Sequence, residues 1–319
     1  MGSPLSFLRR IAAAIRRRSQ AHIMSRWGPG RHWHRASPGF WMQLDRAAFD
    51  DRTFFFGGFD DAFVRDVGRL VHPGERAVDV GAQKGFFTLL LARAVGDTGA
   101  VLAIEADPAA LALLQEHCER NRASVVRIAD SAVGEREGDE ITFLLSDQIG
   151  WSSRFPNPMQ AAHVSRSLSL RTRTVDALVA ERFDDIASPI ALVKIDVEGS
   201  ELQVLTGMPA LLREHTPILW MEINRPSIAA AGAKPEEIEA LLAPFGYRYY
   251  LPDYEPGLFG GTRVWYTPFE HFDDVGRAEF DVVCVPPRYG GRWGTEQPRT
   301  LQGERGDGTE ANVAGRTGD

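Results

Sequence analysis

The chain has 319 residues, 44% hydrophobic and 25% charged, an ordinary globular balance with room for one large domain or two small ones. Its formal charge is −7, yet residues 1–44 hold eight arginines and no Asp, Glu or Lys, so the remainder carries −15. An acidic body of this kind argues against bulk nucleic-acid binding. The two cysteines, Cys118 and Cys284, form no C-x-x-C pair, which excludes a disulfide framework and points to a reducing compartment such as the cytoplasm.

Residues 1–44 read as a basic extension. Ser3 and Pro4 suit a helix start, and Leu5, Leu8, Ile11 and Ile15 share one face beside Arg9, Arg10 and Arg16–Arg18. Residues 3–18 thus have the composition of a helix lying peripherally on an anionic membrane surface. A plain exposed extension or a partner-docking helix fits the same pattern, and no apolar run is long enough to span a bilayer. Residues 25–60 are rich in aromatics and glycine and are expected to cover one end of a sheet. His32 and His34 lack a third ligand nearby, so packing or exposure explains them better than a metal.

From residue 45 to 287 strands and helices alternate. Strands are expected at 76–80, 100–105, 124–129, 140–145, 190–195, 217–222, 246–251, 263–267 and 281–285. Helices are expected at 60–71, 85–95, 108–121, 174–182, 199–213 and 234–244. This order predicts an α/β fold, a mostly parallel twisted sheet with helices on both faces. Residues 146–173 interrupt it and read as a substrate loop. The polar, glycine-rich tail, 288–319, reads as disordered.

Ligands in such sheets lie beyond the carboxyl ends of the strands. Asp79, Glu105, Asp130, Asp196 and Glu222 all fall at expected strand ends. The first strand runs into Gly81-Ala82-Gln83-Lys84-Gly85 and then an apolar helix, a glycine turn that brings a ligand to a helix N-terminus. In a dinucleotide fingerprint Gln83 would stand at the second glycine, where backbone must touch pyrophosphate. Asp79, just before the turn, would repel phosphate but suits an amino group. Glu105, twenty residues after Gly85, is placed for a ribose diol. S-adenosylmethionine has an ammonium, a sulfonium and a ribose diol, and no phosphate.

The segments DVGAQKG (Asp79 to Gly85), Glu105, VDAL (Val175 to Leu178), KIDVEGSE (Lys194 to Glu201) and VLTG (Val204 to Gly207) together resemble the FkbM family of S-adenosylmethionine-dependent methyltransferases. The resemblance spans roughly residues 60 to 287. It implies a Rossmann-like class I methyltransferase fold, S-adenosyl-L-methionine as cofactor and O-methylation of a small-molecule or sugar hydroxyl. Asp79, Gly81, Ala82, Gln83 and Gly85 would then hold the methionine end, Glu105 the ribose, and Asp130 would lie near adenine. Gln83 stands where the family more often has Asn, and Pro108 follows Glu105 later than the family's usual proline.

A hydroxyl acceptor must lose its proton, so a general base is needed. Asp196 leads, because its strand is expected beside the cofactor strand; Glu198, Glu222 and His163 are alternatives. Acids at Asp196 and Glu198 also suit a helix N-terminus for purely structural reasons. Asp196, Glu222 and Asn224 have the oxygen chemistry for Mg²⁺, but no spacing demands it and no metal is assigned. Two further readings remain at this point. A nicotinamide-dependent dehydrogenase shares the architecture, with Gln83 and Asp79 against it. A non-catalytic nucleoside-binding scaffold is disfavoured by the intact acids. The acceptor, a glycoside or natural product, has no readable code.

Overall fold

The computed structural model describes residues 20, 22–23, 25–57, 61–148, 150–183, 188–256 and 262–290. The basic segment 3–18 and the tail from 291 onward lie outside them. The centre is an eight-stranded sheet. Strands β3 (Arg76–Val80), β4 (Ala100–Glu105) and β5 (Val126–Asp130) run parallel to one side of β3. On its other side stand β9 (Ile190–Ile195) and β10 (Ile218–Asn224), also parallel. Three antiparallel strands complete that edge: β13 (Glu279–Val285), β11 (Arg248–Pro256) and β12 (Thr262–Phe269). Chain order reverses at β3, so the crevice for a ligand opens at the carboxyl ends of β3, β4 and β9.

Every residue of β3, β4 and β9 is buried, as expected for parallel strands covered on both faces. Alternation splits their side chains between two cores. Val78, Val80, Val193 and Ile195 join one core, with Leu178 of α6 (Val175–Arg182), Val204 of α7 (Glu201–Thr206), Leu212 of α8 (Pro209–His215) and Ile238 of α10 (Pro235–Leu242). Ala77, Leu192 and Trp220 join the other, with Phe63 of α2 (Asp61–Leu70), Leu91 of α3 (Phe86–Val95) and Leu114 of α4 (Pro108–Asn121).

Three features depart from the sequence-based expectation. The helix expected over 199–213 is broken. Gly207 sits so close to the Gly134 carbonyl that a Cβ would lie 2.2 Å from its oxygen, and Pro209 starts a new helix. The insertion at 146–173 is not all loop. It contains β8 (Val164–Arg173), paired antiparallel with β7 (Glu140–Ser146) and parallel with β6 (Ala132–Val133), and the short helix α5 (Pro158–Ala161).

The third concerns the boundary set at residue 44, which falls inside β2 (Trp41–Asp45). This strand pairs with β1 (Arg31–Arg35), and α1 (Phe49–Phe56) follows. This hairpin is fastened to α4. The Asn121 side chain exchanges two 2.7 Å hydrogen bonds with the Trp41 backbone, and the Gln43 N–H donates to His117 Nε2 at 2.8 Å. Met42, Leu44 and Phe54 are buried in the second core, so the fold includes this segment.

Candidate active site

Two cavities open along the strand ends, and Asp196 lines both. The first, about 680 Å³, is bounded by Gly81, Gln83, Glu105, Asp107 and Ser131 on the β3–β5 side. The β7–β8 hairpin closes it. Phe143, Ser152 and Arg154 line the wall, and the hairpin's loop is tied down at several points. Ser152 Oγ donates to Asp107 Oδ2 at 2.6 Å, Ser153 Oγ to the Glu198 carbonyl at 2.8 Å, and Gln160 Nε2 to Glu198 Oε2 at 2.6 Å. The loop read as contacting substrate therefore roofs the first cavity.

The glycine turn has its shape for steric reasons. Gly81 has φ +80°, and a Cβ there would lie 1.8 Å from the Asp196 carbonyl oxygen. Its missing side chain lets the β3 turn pass directly against the end of β9. Gly85, at φ +89°, does different work: a Cβ would meet Leu114 Cδ1 at 2.6 Å, so this glycine packs the turn against α4 and does not line the cavity. Ala82 is buried in the second core. Gln83 adopts φ 48°, and its amide points to the Gly150 carbonyl at 3.5 Å. A side chain fills the place where a dinucleotide site needs bare backbone.

Glu105 ends β4 at the cavity wall. Its carboxylate accepts the backbone N–H groups of Gln83 (2.7 Å), Ala106 (2.8 Å) and Asp107 (2.7 Å), which fixes its orientation. Burial nevertheless pushes its pKa up to about 7, against those donors. Asp130 pairs with Glu105 in register but is exposed and does not line the cavity; Ser131 and Ala132 take that part of the wall.

Asp79 lies fully buried behind the turn. Thr88 Oγ1 donates to its Oδ2 at 2.6 Å, and its Oδ1 has no hydrogen-bond partner. Burial raises its pKa, and the nearby Lys194 ammonium is the largest influence opposing the rise. Asp79 and Lys194 are direct neighbours across β3 and β9, and Lys194 is paired in turn with Trp220 of β10. Lys194 Nζ stands 3.0 Å from Asp196 Oδ2 and 4.3 Å from the centre of the Phe87 ring. Burial alone would lower its pKa; Asp196 and then Asp79 hold it above its ordinary value.

The second cavity, about 730 Å³, lies on the α2–α3 face of the same strand ends. Asp196, Glu222 and Asp281 line it with the aromatic rings of Phe87, Trp220 and Tyr254. Glu222 and Asp281 face each other across β10 and β13, a like-charged pair that a sheet tolerates poorly. Burial, with Asp196 next in size, raises both; Asp281 reaches about 7 and Glu222 lies well above its ordinary range. Burial and then Asp196 also lift Glu198, to about 8.

Of the three acids expected to be catalytic, Asp196 and Glu222 share this cavity. Glu198 turns to the first cavity, where Gln160 occupies it. His163 pairs with Asp147 at 3.0 Å and lines neither cavity. Asp281 and Trp220 escaped the sequence reading. Asp281 sits in an expected strand, but its place opposite Glu222 depends on antiparallel pairing that no local pattern reveals. Among the described residues, no group of three or more His, Cys, Asp or Glu is arranged to hold a metal ion.

A doubly wound sheet with a glycine turn, a carboxylate closing the second strand and a carboxylate-rich crevice defines a Rossmann-like methyltransferase. The family model of the methyltransferase FkbM domain matches residues 79–249, more than half of the chain, and the chain belongs to that family. It is an S-adenosylmethionine-dependent methyltransferase.

Several solved structures are similar. The FkbM methyltransferase of Methylobacillus flagellatus KT is 19% identical over 68% of this chain and 54% of its own, with a TM-score of 0.36. An S-adenosylmethionine-dependent O-methyltransferase from Thermotoga maritima is 14% identical over 81% and 78%, with a TM-score of 0.38. An O-methyltransferase from Bacillus cereus, solved with S-adenosylhomocysteine, is 12% identical over 70% and 79%, with a TM-score of 0.39. No curated protein matches the chain.

The residues present fit the cofactor. The first cavity has one cationic residue in its wall, Arg154, against the acidic residues Glu105, Asp107 and Glu198. That donor set suits a nucleoside carrying positive charge and a single carboxylate, and not a pyrophosphate. Glu105 has the acceptor chemistry a ribose diol needs, Gln83 lies beside it, and Gly81 bounds the end nearest Asp196. No helix among the described residues is long and apolar enough to cross a membrane.

Proposed function

We propose that the protein methylates a hydroxyl group of a small polyhydroxylated acceptor, a glycoside or a related natural product. One observation carries the reading: Asp196 lines both cavities, so a single acidic residue borders the methyl donor's cavity and a second, acid- and aromatic-lined one. Aromatic faces pack against the apolar faces of sugar rings, and carboxylates accept their hydroxyls. The bound cofactor supplies an electrophilic methyl group on a sulfonium.

The chain's own residues do the rest. Phe87, Trp220 and Tyr254 bound the acceptor site. Lys194 Nζ, 3.0 Å from Asp196 Oδ2, fixes that carboxylate in place to take the hydroxyl proton as the oxygen–methyl bond forms and the sulfur–methyl bond breaks. Glu222 and Asp281, both raised, hold protons readily and donate to or accept from neighbouring hydroxyls. The β7–β8 hairpin excludes water from the donor's cavity. Holding both reactants across a single carboxylate is the main contribution an in-line displacement asks of the protein.

The test is a panel of simple glycosides and primary amines with the holoenzyme, reading S-adenosylhomocysteine release and the mass and linkage of the products. O-methyl products, lost in Asp196→Asn with cofactor binding intact, support the proposal. N-methyl products alone would overturn it. We further assign residues 3–18 to an anionic membrane surface, on their composition. Deleting residues 1–20 then abolishes sedimentation with anionic vesicles and spares cofactor binding; a full-length protein that never sediments at low salt refutes this.

A further inference from the structure

At the amino ends of β4 and β5, the end of the sheet opposite both cavities, lies a cleft of about 1090 Å³. Four arginines line it: Arg35 from β1, Arg93 from α3, and Arg120 and Arg122 from the end of α4. Three of them lie over aromatic rings. Arg120 lies 5.4 Å from the Trp33 ring centre and 5.5 Å from that of Trp41; Arg35 lies 5.5 Å from Trp41, and Arg93 5.6 Å from Phe40. Cross-strand pairing of Arg35 with Trp41 sets the contact between those two. Gly39 leaves room for the Arg93 guanidinium, 3.6 Å from where its Cβ would be.

None of the four forms an ion pair among the described residues, although the chain is acidic overall. The plainer explanation is that Arg93 and Arg120 sit in the last turns of α3 and α4 and offset the helix dipoles. That accounts for part of the charge only. Two helix ends contribute about half a negative charge each, and Asp97 is the one carboxylate in the wall. Against four guanidinium groups this leaves an excess of about two positive charges. Arg35 comes from a strand and Arg122 lies beyond the helix, so neither is explained by a dipole.

We propose that this cleft binds a phosphate-bearing anion. Ring contacts occupy the guanidinium faces of Arg35, Arg93 and Arg120. Arg93 gives one N–H to the Pro38 carbonyl, and the N–H edges of Arg35, Arg120 and Arg122 are left for bidentate contact with oxyanions. Donors from three separate elements suit a tetrahedral group better than a planar carboxylate. The phosphate belongs either to a soluble phosphate ester or to a lipid headgroup, and the two arms of the experiment separate these sources.

The experiment uses the full chain at low salt. Inorganic pyrophosphate is titrated by calorimetry, and sedimentation is measured with phosphatidylglycerol vesicles against phosphatidylcholine vesicles. The variants are Arg35→Gln/Arg120→Gln and the milder Arg120→Lys, with S-adenosylmethionine binding as the folding control. The expected result is pyrophosphate binding weakened at least about tenfold in the double variant, and less in Arg120→Lys, with cofactor binding unchanged. Because residues 3–18 are themselves assigned to an anionic surface, the sources are separated by competition. If phosphatidylglycerol vesicles displace bound pyrophosphate from the wild type and phosphatidylcholine vesicles do not, the source is a lipid headgroup; if neither does, it is a soluble ester. Wild-type protein that binds neither probe, or variants that bind both as well as wild type, would overturn the proposal. Should the double variant fail its folding control, Arg122→Gln, an exposed single change, is read in its place.

Discussion

Lys194→Met is the sharpest perturbation of this site. Met keeps most of the volume against Phe87 but removes the ammonium from between Asp79 and Asp196. The Lys194 side chain is 4% exposed and that of Asp196 18%, while Asp79 is completely buried. Breaking a buried pair by removing one partner costs about 3–5 kcal/mol, because a buried charge is left uncompensated. Asp196 retains some water, so the lower part of that range applies.

The deficit must also depend on pH. Asp79 has a folded pKa above its ordinary 3.8, and Lys194 is the main influence holding it down. Without Lys194 it rises further. An acid whose folded pKa is raised contributes stability that is present below the unfolded pKa and lost as pH rises through the folded one. The variant's deficit therefore grows between pH 5 and pH 8. Urea unfolding of the cofactor-free protein at both values measures it, and Asp79→Asn in the Lys194→Met background restores part of the loss at pH 8. A deficit under about 1 kcal/mol, well below the range for a broken buried pair, or an equal deficit at both pH values with no rescue, would refute the reasoning.

Other outcomes follow from the same geometry. Gly81→Ala imposes about 1–2 kcal/mol for its left-handed backbone before its Cβ meets the Asp196 carbonyl, so cofactor binding measured by calorimetry collapses. Glu105→Gln replaces an oxygen that accepts backbone N–H groups with a competing donor, weakening cofactor binding by about 1.5–3 kcal/mol. Glu105 titrates near pH 7 and accepts from a diol best when ionised, so wild-type affinity for the cofactor strengthens from pH 6 to pH 8. Asp196→Asn lowers kcat by roughly 10²–10⁴ in a single-turnover assay, without a matching loss of cofactor affinity. Glu105, Glu198 and Glu201 all have raised values, about 7, 8 and 7. The cofactor-free protein is therefore more stable to urea at pH 6 than at pH 8.5, the reverse of the usual carboxylate effect.

The strands that border the first cavity were legible because burial on both faces leaves a continuous apolar run. The expected bounds 76–80, 100–105 and 190–195 coincide with β3, β4 and β9. The acids at their ends were legible for the same reason, since each interrupts or terminates such a run. Strand β8 was not. Its sequence, Val164 to Arg173, is exposed at most positions, and it is held by pairing with β7 instead of by a core. The β1–β2 hairpin hid in an aromatic, arginine-rich segment whose partners, His117 and Asn121, lie more than seventy residues away. The packing demand on Gly85 was not legible, because a glycine required by Leu114 looks the same in sequence as one required by a ligand.

Asp196 shows why the turn and the proposed base form one unit. Its backbone carbonyl is what forbids a side chain at Gly81, and its N–H donates to the Val80 carbonyl at 3.0 Å. The end of β9 is thereby locked to the cofactor turn through the main chain. Its side chain, held by Lys194, faces the second cavity. A change at Gly81 therefore displaces the carboxylate as well as the donor's binding surface, and the two effects cannot be separated by mutating that position. Asp196→Asn leaves the backbone contacts intact and removes only the charge. Comparing the two variants divides cofactor positioning from proton removal: a Gly81→Ala defect rescued by saturating cofactor belongs to binding, whereas the Asp196→Asn defect persists at any cofactor concentration.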